Sequence, residues 1–185
     1  MSLTILDRFR PKRDIPAVQV FDGLAQVRGY WEGLRQRAAL PPRTALDPRG
    51  LSGVLDRVFL AERIGAGLAQ VRIAGSGLAE VAGMDLRGLP LSCLFTPESR
   101  PLLAQSLERV FSEPCVAEID LGSDRGIVGI VTARLLFLPL ADEGDRKIVL
   151  GAMGFSQGRG ETHKFQGWAR REEAVVLAPA PVEVD

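Results

Sequence analysis

The stretch DRVFLAERIGAGLAQVRIAG, residues 56–75, reads as a β-hairpin. Val, Phe, Leu and Ile dominate 56–64, and Gly65-Ala66-Gly67 supplies a tight turn into a second run over 68–75. In that second run Ala69, Val71 and Ile73 are expected to share one face, with Leu68, Gln70 and Arg72 on the other. Downstream, Ser76 is a candidate cap for a short helix that ends at Gly83. Residues 84–95 are irregular, broken by Gly88 and Pro90. Thr96-Pro97-Glu98 then marks a firm helix start, and Leu103, Leu107, Val110 and Phe111 form an apolar face before Pro114. Three further strand-like runs follow at 115–122, 126–140 and 146–155, separated by turn-forming residues. The expected fold class is α+β: a five-stranded antiparallel sheet with helices on one face.

Upstream of the hairpin, residues 22–39 predict an additional N-terminal helix. Asp22 is its candidate cap, and Leu24, Val27, Trp31 and Leu34 form one apolar stripe that stops at Leu40-Pro41-Pro42. Such a stripe either packs on its own domain or contributes to a dimer contact, and a homodimer is the expectation. Residues 1–20, with Arg8, Arg10, Lys12 and Arg13 interrupted by Pro11 and Pro16, read as an arm. Residues 157–185 read as a mobile tail with a short helix at most, leaving 21–156 as the domain.

Several features together resemble the PAS domain family. They are Trp31 in an N-terminal helix, Leu40-Pro41-Pro42-Arg43 with Asp47-Pro48, the run Val71-Arg72-Ile73-Ala74-Gly75-Ser76-Gly77-Leu78, and Asp85-Leu86-Arg87-Gly88. More narrowly, the chain is similar to a bacterial single-domain PAS-like group once catalogued as a domain of unknown function. The resemblance covers about residues 25–156 and rests on the order and spacing of its elements. It implies a five-stranded antiparallel sheet whose helices enclose a possible ligand pocket. It also implies sensing or protein interaction, usually with dimerisation. On that basis the pocket candidates are Phe59, Val71, Cys93, Phe95, Leu107, Phe111, Thr132 and Met153. Arg72 and Arg134 either face solvent or point inward as forks for a ligand carboxylate.

Composition narrows the chemistry. The chain has 185 residues, room for one domain and not for a separate kinase or cyclase beside it. Basic and acidic residues number 23 each, so no charge surplus points to nucleic acid. There are two cysteines, one histidine (His163) and no asparagine. Zinc clusters and Cys-His-Asn sites are therefore out of reach, and no metal site is expected. The long helix lacks the histidine that haem-binding PAS sensors commonly use, and Cys93 lacks the neighbouring asparagine of photoactive flavin-binding relatives. Haem and photoactive flavin are disfavoured, leaving an unknown small molecule as the possible ligand. Gly75-Ser76-Gly77 reads as a turn and cap rather than a phosphate cradle, lacking both nucleotide-binding spacings. Glu118 and Asp120 share a strand face without implying catalysis. No apolar run is long enough to span a bilayer and no secretory signal is present, so a cytoplasmic, non-catalytic protein is expected. Its function is expected to be that of a sensory or regulatory module that binds a small molecule or a protein partner. The alternatives are an interaction-only scaffold with a filled pocket and, third, a small α+β enzyme.

Overall fold

The computed structural model describes residues 20–35, 39–124, 130–157 and 164–177; for 124, 130 and 157 it describes the backbone alone. The arm (apart from Val20), the turn 125–129, His163 and the last eight residues lie outside that set. Three α-helices, α1 (Leu24–Leu34), α2 (Ser76–Ala82) and α3 (Arg100–Ser112), accompany six strands among the described residues. The strands are β1 (Val58–Gly65), β2 (Leu68–Ala74), β3 (Cys115–Asp124), β4 (Ile130–Pro139), β5 (Ile148–Gln157) and β6 (Gln166–Ala174). They form one antiparallel sheet in the order β2-β1-β5-β4-β3-β6.

The expected strands appear within a few residues of their expected bounds, although 126–129 of the fourth run lie outside the described set. The correction is at the C-terminal end: β6 comes from the stretch read as a tail, so the sheet has six strands and extends to Ala174. Its sequence, QGWARREEA, presents no apolar alternation. It is held by its ladder to β3 and by ion pairs that cross elements: Arg171 with Asp120, Glu172 with Arg109, and Glu173 with Arg28. A charged strand at the sheet margin also discourages edge-to-edge association.

At β4 both faces of the sheet are covered, which explains the unbroken apolar run Leu135-Leu136-Phe137-Leu138. Leu135 and Phe137 point to the inner layer under α2 and α3, and Leu136 and Leu138 point to the outer layer under α1. In the inner layer Phe59 meets Phe137 edge-on at 6.2 Å between ring centroids. Phe59 also lies over Gly151, its cross-strand partner, where any Cβ would stand 2.0 Å from the ring.

The apolar stripe of α1 is spent within the chain. Leu24, Val27 and Trp31 are buried against β4 and β5, Leu34 is half-buried, and the Trp31 indole Nε1 donates to the Pro139 carbonyl at 2.8 Å. Three of the four dimer-contact candidates are thus unavailable to a partner. Helix starts differ in detail from expectation. Gly23, in a left-handed conformation (φ 77°), occupies the N-cap of α1 in place of Asp22. The Asp22 backbone instead bonds to Phe155 and Arg57. Ser76 is the first residue of α2 and does not cap it; Gly75 is the N-cap. The start expected at Pro97 is a 3-10 turn, Pro97–Ser99, that leads into α3.

Candidate functional site

The eight pocket candidates separate into two groups. Phe59, Val71, Phe95, Leu107, Phe111 and Met153 are buried in the inner layer, and half-buried Cys93 packs against it. The layer is filled by the chain's own side chains: these six are at most 8% exposed, as is every other member of the cluster. Phe111 borders a cleft of about 200 Å³ between the end of α3 and the β4–β5 connection. Thr132 is a correction. Val131 and Ala133 belong to the inner cluster, so strand alternation turns Thr132 to the other face. Burial pushes the Cys93 and Cys115 thiols up from their ordinary range, which keeps both protonated and unreactive.

Both arginine candidates are committed to carboxylates of this chain. Arg72 Nε donates to Glu62 Oε2 at 2.8 Å, and Arg146 holds both oxygens of the same carboxylate at 3.1 and 3.0 Å. The hydrogen bond from Arg146, opposed by partial burial and reinforced by Arg72, lowers Glu62 from 4.5 to about 2. Arg134 Nε donates to Asp120 Oδ1 at 2.7 Å and stacks 4.3 Å over the Phe21 ring. Arg171 Nη2 donates to the other Asp120 oxygen at 2.6 Å. Burial raises the Asp120 carboxyl, but the two guanidinium groups outweigh it and hold the group below the usual carboxylate range. These pairs staple strands together and fill the coordination an incoming anion would need.

Open apolar surface lies instead on the outer face, beside α1 and not beneath it. A groove of about 480 Å³ runs over β1, β2 and β5 and is walled by residues 43–55. That volume falls within the range of small-molecule sites, roughly 300–1,000 Å³. Its apolar lining includes Leu46, Leu51, Leu55, Leu60, Ile73 and Leu150. Ile73 remains 50% exposed and Leu55 43%. Covering a large aliphatic side chain is worth roughly 1.5–3 kcal/mol, so an occupant gains by filling the groove.

Ile73 reaches this groove through a break in strand register. Leu60 pairs with Ile73, but Ala61 pairs with Val71, leaving Arg72 as an extra residue in β2. Such a bulge re-aims the side chains beyond it. Ala69 and Val71 therefore enter the inner layer, while Ile73 stands beside Leu60 on the outer face. The expectation that all three share one face fails at this residue. Nothing in an otherwise regular alternation marks the bulge.

The wall is anchored. Tyr30 Oη donates to the Asp47 carbonyl at 3.1 Å and accepts from the Asp47 N–H at 2.6 Å. Asp47 Oδ1 accepts from the Arg49 N–H at 2.9 Å and caps the 3-10 turn Pro48–Leu51. Gln26 Nε2 donates to the Ser52 carbonyl at 2.9 Å, and the Ala141 N–H donates to the Pro41 carbonyl at 3.0 Å. At the opposite end Gly75 closes on the turn Leu55–Arg57, where a Cβ would lie 2.1 Å from the Leu55 carbonyl oxygen. Only glycine permits that approach. Arg43 also lines the groove, and among the described residues no hydrogen bond or ion pair engages its guanidinium. Arg43 follows directly on the Leu40-Pro41-Pro42 stop, and nothing in its sequence neighbourhood marks it as a site residue.

Among the described residues, no group of three or more His, Cys, Asp or Glu side chains is placed to hold a metal ion, and no helix is long and apolar enough to cross a membrane.

The architecture is that of an α+β domain whose antiparallel sheet carries α2 and α3 on one face and a folded-back N-terminal helix on the other. A family model described as a PAS domain matches residues 21–154, most of the chain, and the protein belongs to the PAS domain family. That family consists in general of sensory and regulatory modules. No curated protein and no solved structure matches the chain.

Proposed function

We propose that this PAS domain is a non-catalytic regulatory module that recognises its signal on the outer face of the sheet, in the groove between residues 43–55 and the β1–β2 hairpin. It passes the resulting change of state to a protein partner. The observation that carries this reading is the contrast between the two faces. The inner layer, where a ligand was expected, is packed with Phe59, Phe95, Leu107, Phe137 and Met153, whereas the outer groove leaves Leu55 and Ile73 about half exposed. Exposed aliphatic side chains in a concave setting mark a recognition surface rather than a core. The filled inner layer also favours the interaction-only scaffold over an internal ligand cavity, so occupancy of the groove is what separates a sensor from a scaffold. A cytoplasmic setting and a homodimer belong to the same proposal, with the dimer formed away from the buried stripe of α1.

Native mass spectrometry of the full chain tests it, comparing the natural protein with Ile73→Trp, which fills the groove from its own floor. A bound mass or an associated chain retained by the natural protein and lost from Ile73→Trp is the expected result. Equal retention by both proteins, or nothing bound to either, overturns the assignment of the groove.

A further inference from the structure

The groove itself has a chemical asymmetry. Its floor and most of its wall are aliphatic, and Arg43 lines it with a guanidinium that no described carboxylate or carbonyl engages. The other groove-lining charge, Asp47, has an oxygen occupied by the Arg49 N–H. Two neighbouring arginines are committed elsewhere, Arg57 to the Asp22 carbonyl and Arg72 to Glu62, and a third, Arg49, does not line the groove. We infer that the groove takes an amphipathic monocarboxylate, an aliphatic chain ending in one carboxylate, with the chain along Leu46, Leu60, Ile73 and Leu150 and the carboxylate on the Arg43 fork.

Each part of that ligand answers a feature of the site. The planar guanidinium presents two parallel N–H donors that match a carboxylate, a geometry an ammonium cannot supply. Asp47 on the same wall disfavours a dianion, so a single negative charge suits the site better than a phosphate monoester. The one aromatic residue of the lining, Phe59, is 2% exposed and belongs to the inner layer, so the exposed lining is aliphatic and suits a saturated chain better than a flat heterocycle. The floor is preformed because the bulge at Arg72 has already turned Ile73 outward, and the wall is preformed by the Tyr30–Asp47 bonds. Binding therefore orders little of the protein, which keeps its entropic cost low.

This inference rests on the outer groove being the recognition site, and its test separates the two claims. The full chain, carrying labelled Leu and Ile methyl groups, is titrated by NMR with decanoate below its micelle-forming concentration. Parallel titrations use 1-decanol and acetate. Decanoate is expected to shift the methyls of Leu60 and Ile73 saturably, and acetate to leave them unmoved. 1-Decanol is expected to bind about tenfold or more weaker, the scale of losing a hydrogen bond to a charged group. Arg43→Gln should reduce decanoate to the level of the alcohol while leaving the alcohol unchanged. Arg43→Lys should recover part of the difference, and Ile73→Trp should abolish both. Equal affinity for decanoate and 1-decanol, or decanoate binding indifferent to Arg43→Gln, refutes the carboxylate. If neither probe binds but the same methyls move on dilution, the occupant is a second copy: the ligand class is wrong and the outer site stands. If neither probe nor dilution moves those methyls, both claims fall.

Discussion

Replacing Trp31 by Ala decides whether the stripe of α1 serves the monomer or a partner. The indole is fully buried against β4 and β5, and its Nε1 donates to the Pro139 carbonyl at 2.8 Å. An aromatic of this kind buries about 150–250 Å². At roughly 25 cal/mol per Å² that is about 4–6 kcal/mol, of which alanine retains a small part. Emptied aromatic sites cost about 3–5 kcal/mol in practice, and here the Pro139 carbonyl also loses its donor. Taking about 4 kcal/mol, and about 2–4 °C per kcal/mol for a chain of this length, the melting temperature should fall by roughly 8–16 °C. Trp31→Phe keeps most of the ring but not the donor, and should cost about 1–3 kcal/mol. Urea unfolding followed by far-UV circular dichroism measures both variants, with sedimentation at matched concentrations beside it. A Trp31→Ala protein within about 1 kcal/mol of the natural one would refute the internal packing, above all if it also lost self-association.

The ion pairs make a pH prediction. Glu62 has its folded value lowered from 4.5 to about 2, so its contribution is complete above pH 4.5 and is lost as the pH falls toward 2; Glu62→Gln should flatten acid unfolding across that window. Asp120→Asn leaves Arg134 and Arg171 facing a neutral group and should cost about 2–3 kcal/mol in urea, less than a fully buried pair because Arg171 is half exposed. Tyr30→Phe removes both bonds to Asp47 and should cost about 1 kcal/mol while accelerating amide exchange in residues 47–51. Ending the chain after Gln157 removes β6 and buried Phe165 and bares the margin of β3; the shortened protein should bind a hydrophobic dye and aggregate, and a monomer of natural stability would contradict the role given to β6.

Three helices and five strands were legible in the sequence because their signals are local. Thr96-Pro97-Glu98 leads into the long helix, Gly83 closes the short one, and a glycine turn joins β1 to β2, each acting within a few residues of itself. The family resemblance rests on the same local pieces taken in order. What the tertiary structure alone decided depends on pairing between distant segments. β6 was missed because Arg170, Arg171, Glu172 and Glu173 carry no periodic apolar signal, and its strand character comes from a ladder to β3 some fifty residues away. Trp31 could have served either a partner or its own sheet, since burial against either gives the same local pattern. Thr132 was assigned to the wrong face because one slip of parity exchanges the two sides of a strand. The site turns on a single unpaired residue: were Arg72 paired with Leu60 in a regular ladder, Ile73 would share the parity of Val71 and enter the inner layer. Alternation specifies that a strand has two faces; the register of its partners determines which side chains meet the core and which are left open to a ligand.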